Sequence, residues 1–305
     1  MSPRAGLPLL VLTGALGLGL AAAGNAWGPT GHMITAQIAY DRLLPETRGE
    51  VDRLIAVLAE EEPKIDHFVP ASYWMDEIRR LGWRAFDHWH YTNPPYNPEG
   101  LPSVPPSHRH DAVWAIGQAV STLRNPQTPD PQKAWMLRIL DHLVGDLHQP
   151  LHSVNRYSRR HPDGDRGGNL FELSLPPRED GGYVPDNLHA FWDGTAGLFP
   201  RIQPGQAWTR RIGSMARQVR ERVPAPEGVE EDVDPKAWAR ESYRLSIEVV
   251  YEGIEEGGTP SEGYRARAQA VVEERLALGG YRLAAILEHA LGPGAELETG
   301  RRRRP

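Results

Sequence analysis

The sequence predicts a single, mainly helical domain that contains at most a short β-hairpin. Amphipathic segments with helical spacing recur along the chain, and most are bounded by proline, glycine or a capping residue. Strand-like patterns are confined to short runs. The chain shows no internal repeat, no low-complexity domain and no clear linker. The helices are therefore expected to pack around one core.

The first 26 residues have the features of a secretory signal peptide. Arg4 gives a positive start, Leu7 to Ala23 is apolar, and Gly24-Asn25-Ala26 fits a small-residue cleavage site. A membrane anchor is the alternative, but the apolar run is short for a span and is interrupted by glycines. Cleavage after Ala26 would make Trp27 the new N-terminus. A secreted or periplasmic protein is therefore expected.

The composition limits the class of protein. Residues 27–295 are long enough for one large domain, and residues 296–305 form a basic tail that is predicted to be disordered. There is no cysteine, so export would not bring disulfides. The formal net charge of −6 is opposite to that of a typical nucleic-acid-binding module. An acidic enzyme can still act on nucleic acid when bound cations supply the positive charge.

The first third of the chain predicts three helices and one extended segment. The first helix can be capped by Thr30 or Gly31 and is ended by Pro45. Apolar residues at helical spacing define the second. The polar–aromatic alternation before Pro94 favours an extended chain. The expected elements are helices at His32–Leu44, Glu46–Glu61 and Ala71–Leu81 and an extended segment at Phe86–Asn93.

The middle of the chain contains the segment around which the domain is organised. After a proline-rich loop at Pro94–Pro106 and a helix at His110–Leu123, Asp130 and Pro131 are expected to cap and open a long helix. That helix carries His142.

His142 and Asp146 are four residues apart and so share one helix face. Gly145 leaves room for another group to approach the backbone. Pro150 ends or kinks the helix, which lets His152 return from a new direction.

The last half of the chain predicts a loop, a short strand and two long helices. Asn155–Asn169 is polar and glycine-rich and suits a surface loop, and Asn169–Leu175 suits a short strand. Helical patterns cover Pro235–Tyr251 and Glu262–Leu291. The second of these is expected to break near Gly279-Gly280.

Histidine and aspartate residues indicate metal ligation. A second pair, His189 and Asp193, repeats the four-residue spacing of His142 and Asp146. Imidazole and carboxylate groups are ligands that zinc accepts, and an exposed ion pair is the alternative for any one pair. His32, His90 and Asp76 are further candidates that spacing alone does not decide. His88 and His148 suit outer or surface positions, and the other histidines suggest no role.

Six motifs resemble those of the zinc-dependent single-strand nucleases of the mung-bean type, which include fungal secreted nucleases. The resemblance covers nearly all of residues 27–295. The motifs are Trp27-Gly28-x-x-Gly31-His32, Trp74-Met75-Asp76, His90-Tyr91, His142 to His152, Gly167-Gly168-Asn169 and Asn187-Leu188-His189 to Asp193. The resemblance implies a mainly helical fold shared with phospholipase C.

The resemblance also implies three Zn²⁺ ions. One would be held by Asp76, His90, His142 and Asp146. A second would be held by the α-amino and carbonyl groups of Trp27 with His32 and a shared Asp146. The third would be held by His152, His189 and Asp193. An α-amine has an ordinary pKa of about 7.7 to 8, so a metal can hold it deprotonated near neutral pH.

By the same resemblance, the protein would hydrolyse single-stranded DNA and RNA to 5′-phosphate products and act on 3′-nucleotides, as a monomer with no stable membrane partner. Asp76, Arg79 and Asp146 would be catalytic, with Arg79 contacting phosphate; a local ion pair with Asp76 is its alternative role. Asn93 and Asn169 would contact bases, although Asn169 also suits a plain turn. Core packing is favoured over base stacking for Tyr157 and Trp89.

Two other functions stay open from the sequence. Zinc-dependent phospholipase C shares the N-terminal tryptophan, the metal ligands and the helical fold, but the context of Asn169 and His189 is more typical of the nucleases. A non-catalytic, secreted metal-binding protein is the second alternative. The third metal site has only three protein ligands, which is typical of a catalytic zinc with an open position.

Overall fold

A computed structural model describes residues 27–59, 66–102, 104, 108–179, 181–204, 207–293 and 295. The predicted signal peptide (1–26) and basic tail (296–305) lie outside the described residues. The described part is mainly helical, as the sequence predicts. Its α-helices are α1 (Pro29–Arg42), α2 (Pro45–Ala56), α3 (Phe68–Ala71), α4 (Trp74–Arg80), α5 (Ala112–Arg124), α6 (Asp130–His148), α7 (Leu188–Asp193), α8 (Trp208–Arg222), α9 (Pro235–Leu245) and α10 (Glu262–Leu291).

Helix α6 crosses the core, and its second half is buried on every side from Leu137 to His148. The helix begins one residue earlier than expected, because Pro129 occupies the N-cap position. Asp130 is therefore not the cap, and its carboxylate instead lies 3.0 Å from Arg53 Nη2. At the other end, Pro150 follows the helix and opens a 3₁₀ turn (Pro150–Ser153), which confirms the predicted change of direction.

Helices α1 and α10 approach each other closely at the centre of the molecule. The predicted break at Gly279-Gly280 is wrong, since α10 runs without interruption from Glu262 to Leu291. A Cβ atom on Gly280 would lie 2.5 Å from Ile38 Cβ, and one on Gly279 would lie 3.2 Å from Thr35 Cγ2. The two glycines thus allow α1 to pack against α10 and do not end the helix.

Two segments near the site differ from their predicted form. The helix expected at Ala71–Leu81 begins only at Trp74, as α4, and Ala71 is the last residue of the separate short helix α3. The segment Phe86–Asn93 is not fully extended, because Asp87–His90 forms a 3₁₀ turn. Phe86 and Trp89 are three residues apart, and a 3₁₀ turn brings such residues onto one side. Their rings pack with centroids 4.8 Å apart, which favours the turn over the strand.

The described residues contain one small sheet, and it is not a hairpin. Strands β1 (Pro95–Tyr96) and β2 (Asn155–Arg156) pair in parallel, with Pro95 opposite Asn155. Helices α5 and α6 lie between them in the chain, and such a crossover is what a parallel pair requires. The predicted strand at Asn169–Leu175 is reduced to a single bridge between Glu172 and Asn187.

The long helical patterns in the last third of the chain are confirmed, with one addition. Helix α9 continues into a π-helical turn, Ser246–Val250, so that together they match the predicted Pro235–Tyr251. Helix α8 has no counterpart among the predicted elements. No described helix is long and apolar enough to cross a membrane.

Candidate metal centre

The candidate centre lies where α1 packs closely against α6. Asp146, His142 and His32 are almost completely buried. A Cβ atom on Gly145 would lie 2.8 Å from His32 Nδ1, a distance that real Cβ atoms essentially never show. Glycine at this position therefore admits the His32 ring against α6, which confirms the room predicted there.

The carboxylate of Asp146 faces two sets of ligands. Its Oδ1 lies 3.4 Å from His32 Nε2. Its Oδ2 lies 3.0 Å from His90 Nδ1 and 3.3 Å from His142 Nε2. A carboxylate whose two oxygens point at different groups of nitrogen atoms is suited to bridge two cations.

The first group of ligand candidates consists of His90, His142 and Asp76, which lies on α4. Asp76 Oδ1 lies 3.8 Å from His142 Nε2 and 3.9 Å from His90 Nδ1. Asp76 is fully buried, yet neither of its oxygens accepts a hydrogen bond from any described residue. A buried carboxylate without donors is costly, so this arrangement fits a bound cation. The donor atoms of Asp76, His90 and His142 lie within 4.8 Å of one another.

The second group lies at the start of α1. It contains His32, His142 and Asp146, whose donor atoms also lie within 4.8 Å of one another. Trp27 precedes this helix and is fully buried, with its Cβ packed where a side chain on Gly31 would otherwise lie.

The third group is built from the turn after α6 and from α7. His152, His189 and Asp193 are buried, and their donor atoms lie within 4.8 Å of one another. His189 Nε2 lies 3.4 Å from Asp193 Oδ2, at the four-residue spacing predicted from the sequence. Asn187 is the N-cap of this short helix, and its side chain accepts a hydrogen bond from the backbone N–H of Ala190.

Backbone carbonyls fix the orientation of three histidine rings. His142 Nδ1 donates to the carbonyl of Ser72 at 2.7 Å, and His152 Nδ1 donates to that of His90 at 2.5 Å. His189 Nδ1 donates to the carbonyl of Gly167 at 2.6 Å. With Nδ1 protonated in this way, each ring presents Nε2 to its metal group, as ligating histidines commonly do.

Gly167 and Gly168, which precede Asn169, hold His189 of the third group in position. A Cβ atom on Gly167 would lie 2.4 Å from the carbonyl oxygen of Leu151, and the residue has a left-handed φ of 62°. Glycine is therefore required for the Gly167 carbonyl to reach the ring of His189. Gly168 adds a second contact, because its carbonyl accepts from the backbone N–H of His189. The sequence motif links the glycines to Asn169, whereas the structure links them to a ligand candidate.

Gln149 is a positioning residue that sequence reasoning missed. Its side chain is fully buried, and Nε2 donates to Asp193 Oδ1 at 2.7 Å. Its Oε1 accepts from the backbone N–H of Leu151 at 2.7 Å. The only signal in the sequence is a polar amide between two histidines of an otherwise apolar run.

Burial and charge act against each other within the Asp146 groups. Burial acts to raise the pKa of Asp146, but the charge and hydrogen bond of His142, together with His90 and His152, hold it well below its usual range. Burial acts to lower the pKa of His142, but Asp146 and Asp76 raise it to about 9. In the protein without metal, a proton on His142 thus supplies part of the positive charge that a cation would bring.

Burial dominates the pKa values of four other ligand candidates. It raises the pKa of Asp76 and holds that of Asp193 well above its usual range. It lowers the pKa of His152 to about 4 and that of His32 well below its usual value. Imidazole groups that stay neutral at pH 7 are ready to act as metal ligands. Nitrogen and carboxylate donors of this kind fit zinc among the divalent metals.

Arg79 lies beside the centre and forms an ion pair with Asp87. Its Nε lies 3.2 Å from Asp87 Oδ1, so the local ion pair expected as its alternative role forms with Asp87 and not with Asp76. The charge of Arg79 nevertheless acts to lower the pKa of Asp76.

Of the candidate base-contacting residues, Asn169 lies in a turn and Asn93 lies in the irregular segment before β1. Asn93 is half-buried and has a left-handed φ of 47°. Asn169 is half-buried, and its Nδ2 donates to the carbonyl of Arg166 at 2.8 Å. Tyr157 is buried, as core packing predicts. His88 is exposed, whereas His148 is completely buried.

A mainly helical fold with three buried groups of histidine and aspartate, two of which face the carboxylate of Asp146, is suited to hold a cluster of metal ions. The model of the S1/P1 nuclease family matches residues 27–292. The chain therefore belongs to the S1/P1 nuclease family.

Three similar proteins are named as nucleases. Endonuclease 2 of Arabidopsis thaliana is 27% identical over 88% of this chain and 91% of its own length. Endonuclease 3 of the same plant is 28% identical over 86% and 87% of the two chains. Nuclease S1 of Aspergillus oryzae is 24% identical over 92% of this chain and 98% of its own length.

The family and its relatives support a nuclease, and hence a phosphodiester hydrolase with a nucleic acid as substrate. They favour this function over the phospholipase C and non-catalytic alternatives. The three buried groups agree with the metal dependence of the family.

Proposed function

We propose that this protein is a secreted zinc-dependent endonuclease. It hydrolyses single-stranded DNA and RNA to products with 5′-phosphates, and it also removes the phosphate of 3′-nucleotides. The observation that supports this proposal best is the position of Asp146, whose two oxygens face His32 on one side and His90 with His142 on the other. The third group of ligand candidates completes a cluster that suits a substrate with several charged oxygens.

Three Zn²⁺ ions would be held by this chain. Asp76, His90, His142 and Asp146 would hold the first; Trp27, His32 and Asp146 the second; and His152, His189 and Asp193 the third. When bound, zinc lowers the pKa of water to about 7 and stabilises negative charge on phosphate oxygens. No nucleophilic side chain is therefore required.

The protein side chains prepare the centre for this chemistry. Asp76 and Asp146 supply negative charge at buried positions, and the backbone carbonyls fix the histidine rings. Arg79 is largely buried and is held by Asp87, so its planar guanidinium is pre-oriented to contact two phosphate oxygens. We assign Asp76, Arg79 and Asp146 to the reaction on this basis.

Base contacts are assigned to Asn93 and Asn169. Both lie outside the helices and strands, where a short amide side chain can extend towards a ligand. The Asn169 amide donates to a backbone carbonyl, so its oxygen is the group available to accept a hydrogen bond from a base. Arg79 would contact the phosphate of the same nucleotide.

Cleavage after Ala26 would be part of the function, because it creates the α-amine of Trp27. Two observations support this step. The family match begins at Trp27, and Trp27 is fully buried beside the second group of ligand candidates. A chain that keeps its leader would lack one ligand, so activity would appear only after export.

The preference for single strands follows from the depth of the ligands. All eight histidine and aspartate candidates are buried, so a phosphate must enter the site to reach them. A stiff duplex holds its phosphates on the outside of stacked bases, whereas a flexible strand can present a phosphate together with an unstacked base.

The test compares two forms of the protein, one that starts at Trp27 and one that carries extra residues before it. Hydrolysis of single-stranded and double-stranded DNA is measured with and without EDTA. We expect cleavage of single strands by the first form, loss of cleavage with EDTA, and weaker cleavage by the extended form.

Three results would count against all or part of the proposal. Turnover of a phosphatidylcholine without cleavage of nucleic acid would identify a phospholipase. Equal activity of both forms would leave the nuclease in place but remove Trp27 from the set of ligands. Zinc binding without turnover of either substrate would favour the non-catalytic alternative.

A further inference from the structure

A row of aromatic rings lies on the surface beside the metal centre. We call it the aromatic band, and it consists of Trp83, His88, Trp89, His108, His110 and Trp114. Trp83 is 55% exposed and Trp114 is 36% exposed, and the three histidines are exposed as well. Large aromatic side chains exposed in one region of the surface indicate a contact surface.

The rings of the aromatic band contact one another in succession. His88 and His108 stack with centroids 4.4 Å apart and planes inclined by 6°. His110 packs on Trp114 at 4.7 Å, and Trp114 packs on Trp89 at 5.6 Å. The band is therefore continuous from the loop before α5 to the 3₁₀ turn that carries His90.

Two half-buried rings connect Trp83 to the rest of the aromatic band. Trp135 lies 6.1 Å from Trp83 and 6.3 Å from Phe86 between ring centroids, and Phe86 lies 4.8 Å from Trp89. Because these inner rings pack against the core, they hold the outer rings in fixed positions. A rigid ring loses little entropy when a planar ligand stacks on it.

One end of the aromatic band reaches the metal centre. His88 Nδ1 lies 3.0 Å from the hydroxyl of Tyr91. Tyr91 directly follows His90, whose Nδ1 lies 3.0 Å from Asp146 Oδ2. A strand that leaves the centre past Tyr91 would therefore meet His88 at this end of the aromatic band.

The charge beside the aromatic band suits an anionic partner. Arg79 Nε and Arg84 Nη1 lie 3.2 Å and 3.4 Å from the two oxygens of Asp87, so two positive groups share one carboxylate. Arg109 is exposed between two histidines of the band. The neighbouring Asp111 accepts a hydrogen bond from the backbone N–H of Trp114 as the cap of α5. This local basic character contrasts with the net charge of −6 of the whole chain.

We propose that the aromatic band binds the part of a single-stranded nucleic acid that extends beyond the metal centre. Unstacked bases would stack on Trp83 and Trp114, and phosphates would lie near Arg84 and Arg109. Single strands suit this surface because each base offers a flat face and each phosphate a negative charge, at a spacing that a flexible backbone can adjust. The inference rests on the proposed nuclease function and adds an extended binding surface to it.

The test uses the zinc-loaded protein with both exposed tryptophans changed, Trp83→Ala with Trp114→Ala. Hydrolysis of an oligothymidylate of about twenty nucleotides is compared with that of the dinucleotide, because only the long strand can reach the aromatic band. We expect KM for the long strand to rise about tenfold or more with kcat unchanged, since removal of each stacking ring weakens single-strand binding at least severalfold. Neither constant should change for the dinucleotide.

A second measurement does not depend on cleavage. Anisotropy of a fluorescent, nuclease-resistant phosphorothioate oligothymidylate gives the affinity directly, and the same loss is expected. The pair Trp83→Phe with Trp114→Phe keeps the rings and should restore most of the binding. Leu44→Ala is the matched control, because Leu44 is an apolar residue that is 54% exposed outside the band. It should change neither measurement.

Different results separate the two proposals. If the wild type cleaves neither substrate, the proposed function fails, and the anisotropy still decides the role of the aromatic band. If the wild type cleaves both and the double alanine variant binds the long strand equally well, the inference about the band is overturned. A wild-type dimer that dissociates in this variant would show that a second copy of the chain occupies the surface, and would also overturn it.

Discussion

The side-chain amide of Gln149 donates from Nε2 to Oδ1 of Asp193 at 2.7 Å. The backbone of Gln149 forms two further bonds. Its N–H donates to the carbonyl of Asp146 at 3.0 Å, and its carbonyl accepts from the N–H of His152 at 3.0 Å. One residue thus connects Asp146 of α6 with two ligand candidates of the third group. The relative position of the metal groups is therefore set at the end of α6.

Replacing Gln149 with glutamate should weaken the third metal site. The new side chain would keep the oxygen that accepts from Leu151, but it would place a carboxylate against Asp193 where an N–H now donates. Loss of such support commonly reduces metal affinity about 10- to 100-fold. We expect Gln149→Glu to lose one of its metal ions when dialysed against a weak chelator, as measured by elemental analysis.

The control for this substitution is Gln127→Glu. Gln127 is exposed at the loop before α6, so the same change of charge occurs away from the ligands. Retention of all metal by both variants, with equal affinities, would show that the Gln149–Asp193 bond does not support the site.

Two pairs of candidate ligands could be predicted because their signal is local. His142 with Asp146 and His189 with Asp193 are four residues apart on helices, and this spacing alone places each pair on one face. The way in which the pairs meet is not local. Asp146 faces His32 only because α1 packs against α6 at Gly145, and no spacing within either helix encodes that contact.

The wrong prediction of a helix break at Gly279-Gly280 also results from a contact between distant parts of the chain. Gly279-Gly280 suggests a broken helix, because glycine disfavours helical structure when nothing packs against it. In the fold, Ile38 lies where a side chain on Gly280 would be, so packing overrides propensity. The carbonyls of Ser72 and Gly167 could not be predicted as partners of the histidine rings either. Every residue has a carbonyl, and only the fold determines which one faces a ring.

Gly145→Ala should damage the second metal group without damaging the helix. Alanine is a better helix former than glycine by about 1 kcal/mol, but its Cβ would meet the ring of His32 at 2.8 Å. The ring must move, and with it a ligand candidate. We therefore expect the variant to lose most of the increase in thermal midpoint that zinc gives to the wild type, as measured by calorimetry with and without zinc.

Gly117→Ala is the matched control for this prediction. Gly117 lies within α5, and nothing is within 4 Å of a Cβ atom built there. This variant should be as stable as the wild type or slightly more stable, and it should keep the full response to zinc. An equal response in Gly145→Ala would show that His32 is not a ligand.

Asp141→Asn should stabilise the protein at neutral pH. Burial holds the pKa of Asp141 well above its usual value, and no described residue donates a hydrogen bond to its oxygens. A carboxyl group whose pKa is raised by folding binds its proton more tightly in the folded state. The free energy of unfolding therefore falls as pH rises from the unfolded-state pKa of about 3.9 towards the folded-state value.

Asparagine carries no titrating proton, so Asp141→Asn should remove that fall. Urea unfolding at pH 7 and at pH 4 is the measurement. The variant is expected to exceed the wild type in stability at pH 7, and the difference should become small at pH 4. A variant that is less stable than the wild type at pH 7 would show that the carboxylate has a stabilising partner.

Zinc binding should release protons at neutral pH. Asp146 and Asp76 raise the pKa of His142 to about 9 in the protein without metal, so this imidazole is protonated at pH 7 and must lose its proton before it can bind zinc. His152, with a pKa lowered to about 4 by burial, is already neutral and contributes no proton. Calorimetric titration of the metal-free protein with zinc in two buffers of different ionisation enthalpy gives the number of protons released, and we expect at least one.

Because zinc and this proton compete for His142, affinity should fall as pH decreases below about 9. An apparent binding enthalpy that is the same in both buffers would mean that His142 is neutral before zinc arrives, and that Asp146 does not hold its proton in place.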